Sequence, residues 1–159
     1  MKLSPLVKGL ITGGLLIITS LATYKYLPPE SPLHYIVFAV YAIGIVWTLL
    51  AWRYSEKYSG RFADGFNTGF RCFVVATLIM AAFVYNFNKS HPEFAEESAK
   101  YYREQLVKEN NKNPQEIDEA IATYKKQYTL KLVSGAIFGY LLIGAAVTAL
   151  TAFSITRRK

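Results

Sequence analysis

Residues 33–52 read LHYIVFAVYAIGIVWTLLAW, without one Asp, Glu, Lys or Arg. At roughly 1.5 Å of rise per residue, an α-helix of that length crosses a hydrocarbon core of about 30 Å. Three other stretches meet the same ruler. Residues 6–24 hold a single base, Lys8, at one edge; residues 130–155 hold only Lys131, again at an end; residues 66–87 include Arg71. A guanidinium at mid-bilayer costs about 2.5–3.5 kcal/mol on insertion scales, but Arg71 stands near the start of its stretch and can snorkel to the interface. None of the four stretches alternates apolar with polar residues, so barrel strands are excluded.

Composition agrees. Hydrophobic residues make up 52% of the chain and charged residues only 18%, where a soluble domain carries about a quarter charged. The sequence therefore predicts an all-α membrane protein, with four transmembrane helices and an extramembrane helical hairpin between spans 3 and 4, as one domain over residues 1–159. The first stretch has a second reading, a cleaved signal peptide, from the basic start at Lys2 and the small-x-small Ser20-Leu21-Ala22. Its apolar run is long for such a segment, which favours an anchor.

Four spans put both termini and the connection after span 2 on one side. That side holds Lys2, Lys8, Arg53, Lys57, Arg61, Arg71, Arg157, Arg158 and Lys159 against Glu56 and Asp64, the whole excess of +7 in the chain. The positive-inside tendency then places both termini on the cytoplasmic side of the membrane. Bases scattered at membrane edges meet lipid headgroups, and they do not form a nucleic-acid surface. Trp52, Tyr54 and Tyr58 at one edge, with Tyr24, Tyr26, Tyr35, Tyr85 and Tyr128 at the other, read as interfacial belts.

Residues 90–129 are the one sizeable polar segment. Ser90-His91-Pro92-Glu93 and Asn113-Pro114-Gln115-Glu116 each carry a helix-start signature, a capping side chain followed by proline and a glutamate three on. Ile117, Ile121, Tyr124 and Tyr128 form one apolar stripe at helical spacing, and no proline or glycine separates it from Leu130. The second helix should therefore run on into the last span. Phe94, Tyr101, Tyr102 and Leu106 can pack on that stripe. Phe94, Tyr101, Ile117, Ile121 and Tyr124 are the candidate partner surface, although two stripes that bury each other account for them more simply.

No catalytic constellation is visible, and none of the four stretches contains a carboxylate that would relay protons or sodium. One cysteine, Cys72, excludes an intramolecular disulfide, and with His34 and His91 as the only histidines neither a metal site nor a cofactor is expected. Gly9/Gly13, Gly65/Gly69 and Gly135/Gly139 repeat the spacing that lets helix backbones approach closely. They serve packing within the chain or, less simply, dimerisation.

The glycine-bearing first span after Lys8, the connection Tyr54-Ser55-Glu56-Lys57-Tyr58-Ser59-Gly60 leading to Gly65 and Gly69, Tyr85 with His91-Pro92-Glu93-Phe94, and the Gly135/Gly139 span ending in Arg157-Arg158-Lys159 together resemble a family of small four-span inner-membrane proteins from Bacteroidota whose function is unknown. The chain departs from it at Arg61-Phe62-Ala63-Asp64, where a serine- or threonine-like turn is expected. The resemblance implies a fold and a location, and no activity. It also hints at partners among envelope-building proteins, such as glycosyltransferases acting on lipid-linked sugars. The expectation is a non-enzymatic accessory or assembly subunit whose partners are the bilayer and another envelope protein or itself. The alternative is a small oligomeric transporter or channel with Arg71 and Asn67 at its inner mouth.

Overall fold

The structure, a computed structural model, describes residues 3–28, 31–109 and 113–157. Five α-helices follow in order: α1 (Pro5–Tyr26), α2 (Ile36–Arg53), α3 (Phe62–Ser90), α4 (Glu93–Glu109) and α5 (Pro114–Arg157), with a 3-10 turn, Pro32–Tyr35, before α2. Helices α1, α3 and α5, and α2 together with its leading turn, are long and apolar enough to cross a membrane. These four segments mark a multi-pass membrane protein.

Local chemistry sets the boundaries. Ser4 caps α1 by accepting from the Val7 N–H at 3.3 Å, and Pro5 fills the first turn, where a missing N–H costs nothing. Between α2 and α3 the chain turns through Gly60 at φ 71°, a left-handed conformation that a side chain resists. Asp64, in the first turn of α3, collects the Ser59 hydroxyl and the Arg61 guanidinium. The serine expected within Arg61–Asp64 is thus supplied just upstream, by Ser59. Helix α5 opens on a reciprocal capping box, Glu116 N–H to Asn113 Oδ1 at 2.9 Å and Asn113 N–H to Glu116 Oε2 at 3.1 Å. It then runs unbroken for 44 residues.

Helix α4 begins differently from expectation. Ser90 is the last residue of α3, and α4 opens at Glu93, with the Pro92 carbonyl accepting from the Ala95 and Glu96 N–H groups. The apolar third stretch is likewise only the middle of α3, whose ends at Phe62 and Ser90 lie in polar sequence.

The chain divides into two compact units, one of residues 1–80 with 137–159, the other of residues 81–136. The first contains α1, α2, the start of α3 and the end of α5. Its interior is mixed: Leu16, Ile45 and Leu49 are fully buried beside Thr12, Thr48, Thr148 and Tyr41. Its outside carries Leu10, Ile18, Ile43, Leu78, Leu142 and Leu150, all exposed. In water that distribution would leave a large sticky surface. Against hydrocarbon it is the stable one, because lipid solvates the leucines while the hydroxyls of Tyr41 and Thr48 find backbone partners inside.

In the second unit α4 lies along the start of α5. Ala99, Leu106 and Ile117 are buried, Tyr102 stacks on Tyr124 at 4.8 Å, and the Ser98 hydroxyl donates to Tyr128 Oη at 3.2 Å. Two exposed ion pairs, Lys125–Glu96 and Arg103–Asp118, each 2.6 Å, close the rims.

Candidate functional site

Inside the first unit, polar side chains serve as struts between helices. The Tyr41 hydroxyl, on α2, donates to the Tyr140 carbonyl of α5 at 3.0 Å and stands 3.2 Å from Thr77 Oγ1 of α3. The two tyrosine rings meet edge to face at 5.1 Å. Thr48 donates to its own helix, at Gly44 O, 2.9 Å, and lies 3.2 Å from Cys72 Sγ. Thr148 alone among the described residues buries a side-chain oxygen without a partner. A fully buried thiol bonded to a threonine is a packing group, because an attacking thiolate needs access.

The glycines sort by what faces them. A Cβ at Gly9 would stand 2.6 Å from the Cys72 carbonyl, so α1 meets the backbone of α3 there, and one at Gly13 would run into the Ile79 side chain. Gly65 faces Trp52 and Ala152, and Gly69 faces Thr148. Gly135 and Gly139 differ: a Cβ at either would meet no described atom within 4 Å. Gly44 against Thr12, and Gly144 against Tyr41 and Phe73, take the packing role instead.

Three of the five candidate partner residues turn into the hairpin, while Phe94 stacks instead on Phe87 and His91. Ile117 is buried, Ile121, Phe94 and Tyr124 are half-buried, and Tyr124 is covered by Tyr102. Tyr101 stays outside, 66% exposed. His34 donates to the Pro28 carbonyl at 2.9 Å and His91 to the Phe87 carbonyl at 2.8 Å, each serving its local turn. Among the described residues no three His, Cys, Asp or Glu side chains gather to hold a metal. Arg71 and Asn67 are both exposed on α3.

One feature of the interior is not a strut. A cavity of about 490 Å³ opens where the start of α1 meets the end of α2, lined by Leu3, Ser4, Lys8, Trp47, Trp52 and Lys57 among others. Lys8 is only 7% exposed, and its ammonium lies over the Trp47 ring, 5.2 Å from the centroid. Trp52 forms the floor, held edge to face on Tyr58 at 4.9 Å, and Tyr58 in turn donates to the Ile155 carbonyl at 3.0 Å. Reading along the chain misses this site, because Lys8 alone looks like one more interfacial base. The pairing with Trp47 comes from another helix.

No curated protein and no solved structure matches the chain significantly. Residues 8–157 do match a family profile described as a protein of unknown function, DUF4199, and that span takes in all four apolar helices. The chain belongs to the DUF4199 family.

Proposed function

We propose that the protein is a non-enzymatic component of a bacterial inner membrane, with both termini in the cytoplasm, and that it serves as an accessory or assembly subunit of an envelope complex. The observation that carries this reading is how the interior polar groups are used. Tyr41, Thr77 and Thr48 spend their hydroxyls between or within helices, which fixes the bundle and leaves the chemistry of the chain to its surfaces. The charge asymmetry supports the orientation, since Arg53 and Arg157 end α2 and α5, and Lys57 and Arg61 lie in the connection between α2 and α3, all on the side assigned to the two termini. Tyr101 is the aromatic that the hairpin leaves uncovered, and it is the place where a partner protein docks. The transporter reading rests on Arg71 and Asn67 alone, both exposed on α3, where a passage would have to form between copies of the chain.

The test is site-specific photo-crosslinking in native membranes, with the reactive group at position 101 and a control at the lipid-facing Leu150. A discrete heavier adduct from position 101 and none from position 150 is expected. If neither position gives an adduct and the chain purifies from mild detergent as a lone monomer, the subunit reading is wrong.

A further inference from the structure

The cavity at the start of α1 holds an ammonium that the chain does not neutralise. Among the described residues the Lys8 ammonium has no ion pair and no hydrogen bond, and it lies over the face of Trp47. The ammonium is not sealed off from the cavity, and attraction to a ring offsets only part of the hydration it gives up, so an anion in the cavity stabilises the site.

The remaining lining narrows the anion. Ser55 and Thr68 have already given their hydroxyl protons, to the Trp52 carbonyl at 2.7 Å and to the Asp64 carbonyl at 2.8 Å. Ser4 accepts from the Val7 N–H and keeps its own proton to donate. Donors left for a ligand are therefore the Lys8 ammonium and the Ser4 hydroxyl, with Lys57, the Tyr54 hydroxyl and the indole N–H groups of Trp47 and Trp52 also on the lining. Glu56 also lines the cavity and has an interaction of its own. Two ammonium groups against one carboxylate leave a single positive charge, which suits a monoanion better than a dianion. Leu3, Pro5, Ala51 and the two tryptophans supply apolar walls beside those donors. A phosphodiester carrying apolar substituents has that charge and that division of surface.

We infer that this cavity binds a phosphodiester monoanion through Lys8 and Ser4, with Trp47 and Trp52 against its substituents. The source is either the headgroup of an anionic membrane lipid or a water-soluble phosphodiester. The volume lies within the range of small-ligand pockets, about 300–1,000 Å³.

The chain carries its own reporter. Its two tryptophans, Trp47 and Trp52, both line the cavity, so an anion that draws Lys8 off the Trp47 ring alters the whole tryptophan emission. The full chain in phosphate-free maltoside micelles is titrated with dihexanoyl phosphatidylglycerol, with glycerophosphoglycerol, and with dihexanoylglycerol as the phosphate-free match, all at equal ionic strength. A saturable emission change with either phosphodiester and none with dihexanoylglycerol is expected. A change confined to the lipid assigns the headgroup, and one with both assigns the phosphodiester itself. Lys8→Gln should raise the apparent Kd at least tenfold, Lys8→Arg should stay within about threefold, and Lys131→Gln should not move it. No saturable change with either phosphodiester in the wild-type chain overturns the inference. So does a folded Lys8→Gln protein that titrates like wild type. Should Lys8→Gln fail to fold, the wild-type titration and the Lys8→Arg variant decide alone.

Discussion

The Tyr41 hydroxyl donates to the Tyr140 carbonyl at 3.0 Å, binding α2 to a backbone oxygen that α5 also uses for its own helix. Thr77 of α3 joins the same oxygen atom of Tyr41 at 3.2 Å, so three spans share one phenol. Hydrogen bonds between membrane helices are each worth about 0.5–2 kcal/mol, because the unfolded chain in lipid finds other partners. Tyr41→Phe keeps the ring against Tyr140 and removes only the hydroxyl. The expected loss is about 1–2 kcal/mol in reversible unfolding from mixed micelles. Tyr140→Phe should cost less, since it is the carbonyl of Tyr140 that accepts. Equal losses for the two variants would mean that packing, not the hydrogen bond, is what Tyr41 supplies.

The glycines offer a sharper contrast. At Gly9 a methyl would press on the Cys72 backbone and on Val75, neither of which can swing aside as a flexible side-chain end would. Gly9→Ala should therefore destabilise by about 1–3 kcal/mol, the usual cost of overpacking. At Gly135 and Gly139 the added methyl meets no described atom. Alanine there gains helix propensity, and both variants should be neutral or more stable by up to about 1 kcal/mol. Thermal unfolding of the three variants in one detergent checks this. A loss at Gly139→Ala equal to that at Gly9→Ala would show that a second chain packs on that face.

These residues also show where sequence reading stops. The spans were legible because the bilayer imposes a length and a polarity that a single stretch, such as residues 33–52, meets or fails by itself. The capping box at Asn113 and Glu116 was legible for the same reason, since its partners lie three residues apart. Which face of a span turns inward is another matter. In α2 nearly every residue is apolar, so the buried Tyr41, Gly44 and Thr48 are not set apart by hydropathy. The paired spacing of Gly135 and Gly139 looked the same as that of Gly9 and Gly13, although only the latter pair meets a neighbour. The cavity was illegible because it needs Lys8 from α1 and Trp47 from α2 at once.

Two threonines test whether burial or bonding decides the value of a hydroxyl. Thr148 is fully buried, presses on Gly69 and leaves its oxygen unpartnered. Thr148→Val exchanges that hydroxyl for a methyl of similar size, so stability should be unchanged or should rise by about 1 kcal/mol, the desolvation cost recovered. Thr48→Val is the counterpart. It removes a hydroxyl bonded to Gly44 O at 2.9 Å and near Cys72 Sγ, and should lose about 0.5–1.5 kcal/mol. The order of the two midpoints in a denaturant titration is the measurement, and Thr148→Val falling below Thr48→Val would contradict it.

In the hairpin, the exposed ion pairs and the buried stripe should differ in weight. Arg103–Asp118 and Lys125–Glu96 are short, but their side chains are between a third and two thirds exposed. Screened pairs of that kind contribute about 0.2–1 kcal/mol. Asp118→Asn should cost no more than that, and 1 M salt should remove most of the difference from wild type. Ile117 and Leu106 are buried between α4 and α5. Ile117→Ala leaves a void that two helices cannot close, at about 2–5 kcal/mol, and 1 M salt should not diminish that loss. Amide hydrogen exchange over residues 93–109 reads both effects in the intact chain. Faster exchange of α4 in Ile117→Ala than in Asp118→Asn is expected, and the reverse order would show that charge, rather than the apolar stripe, holds the hairpin closed.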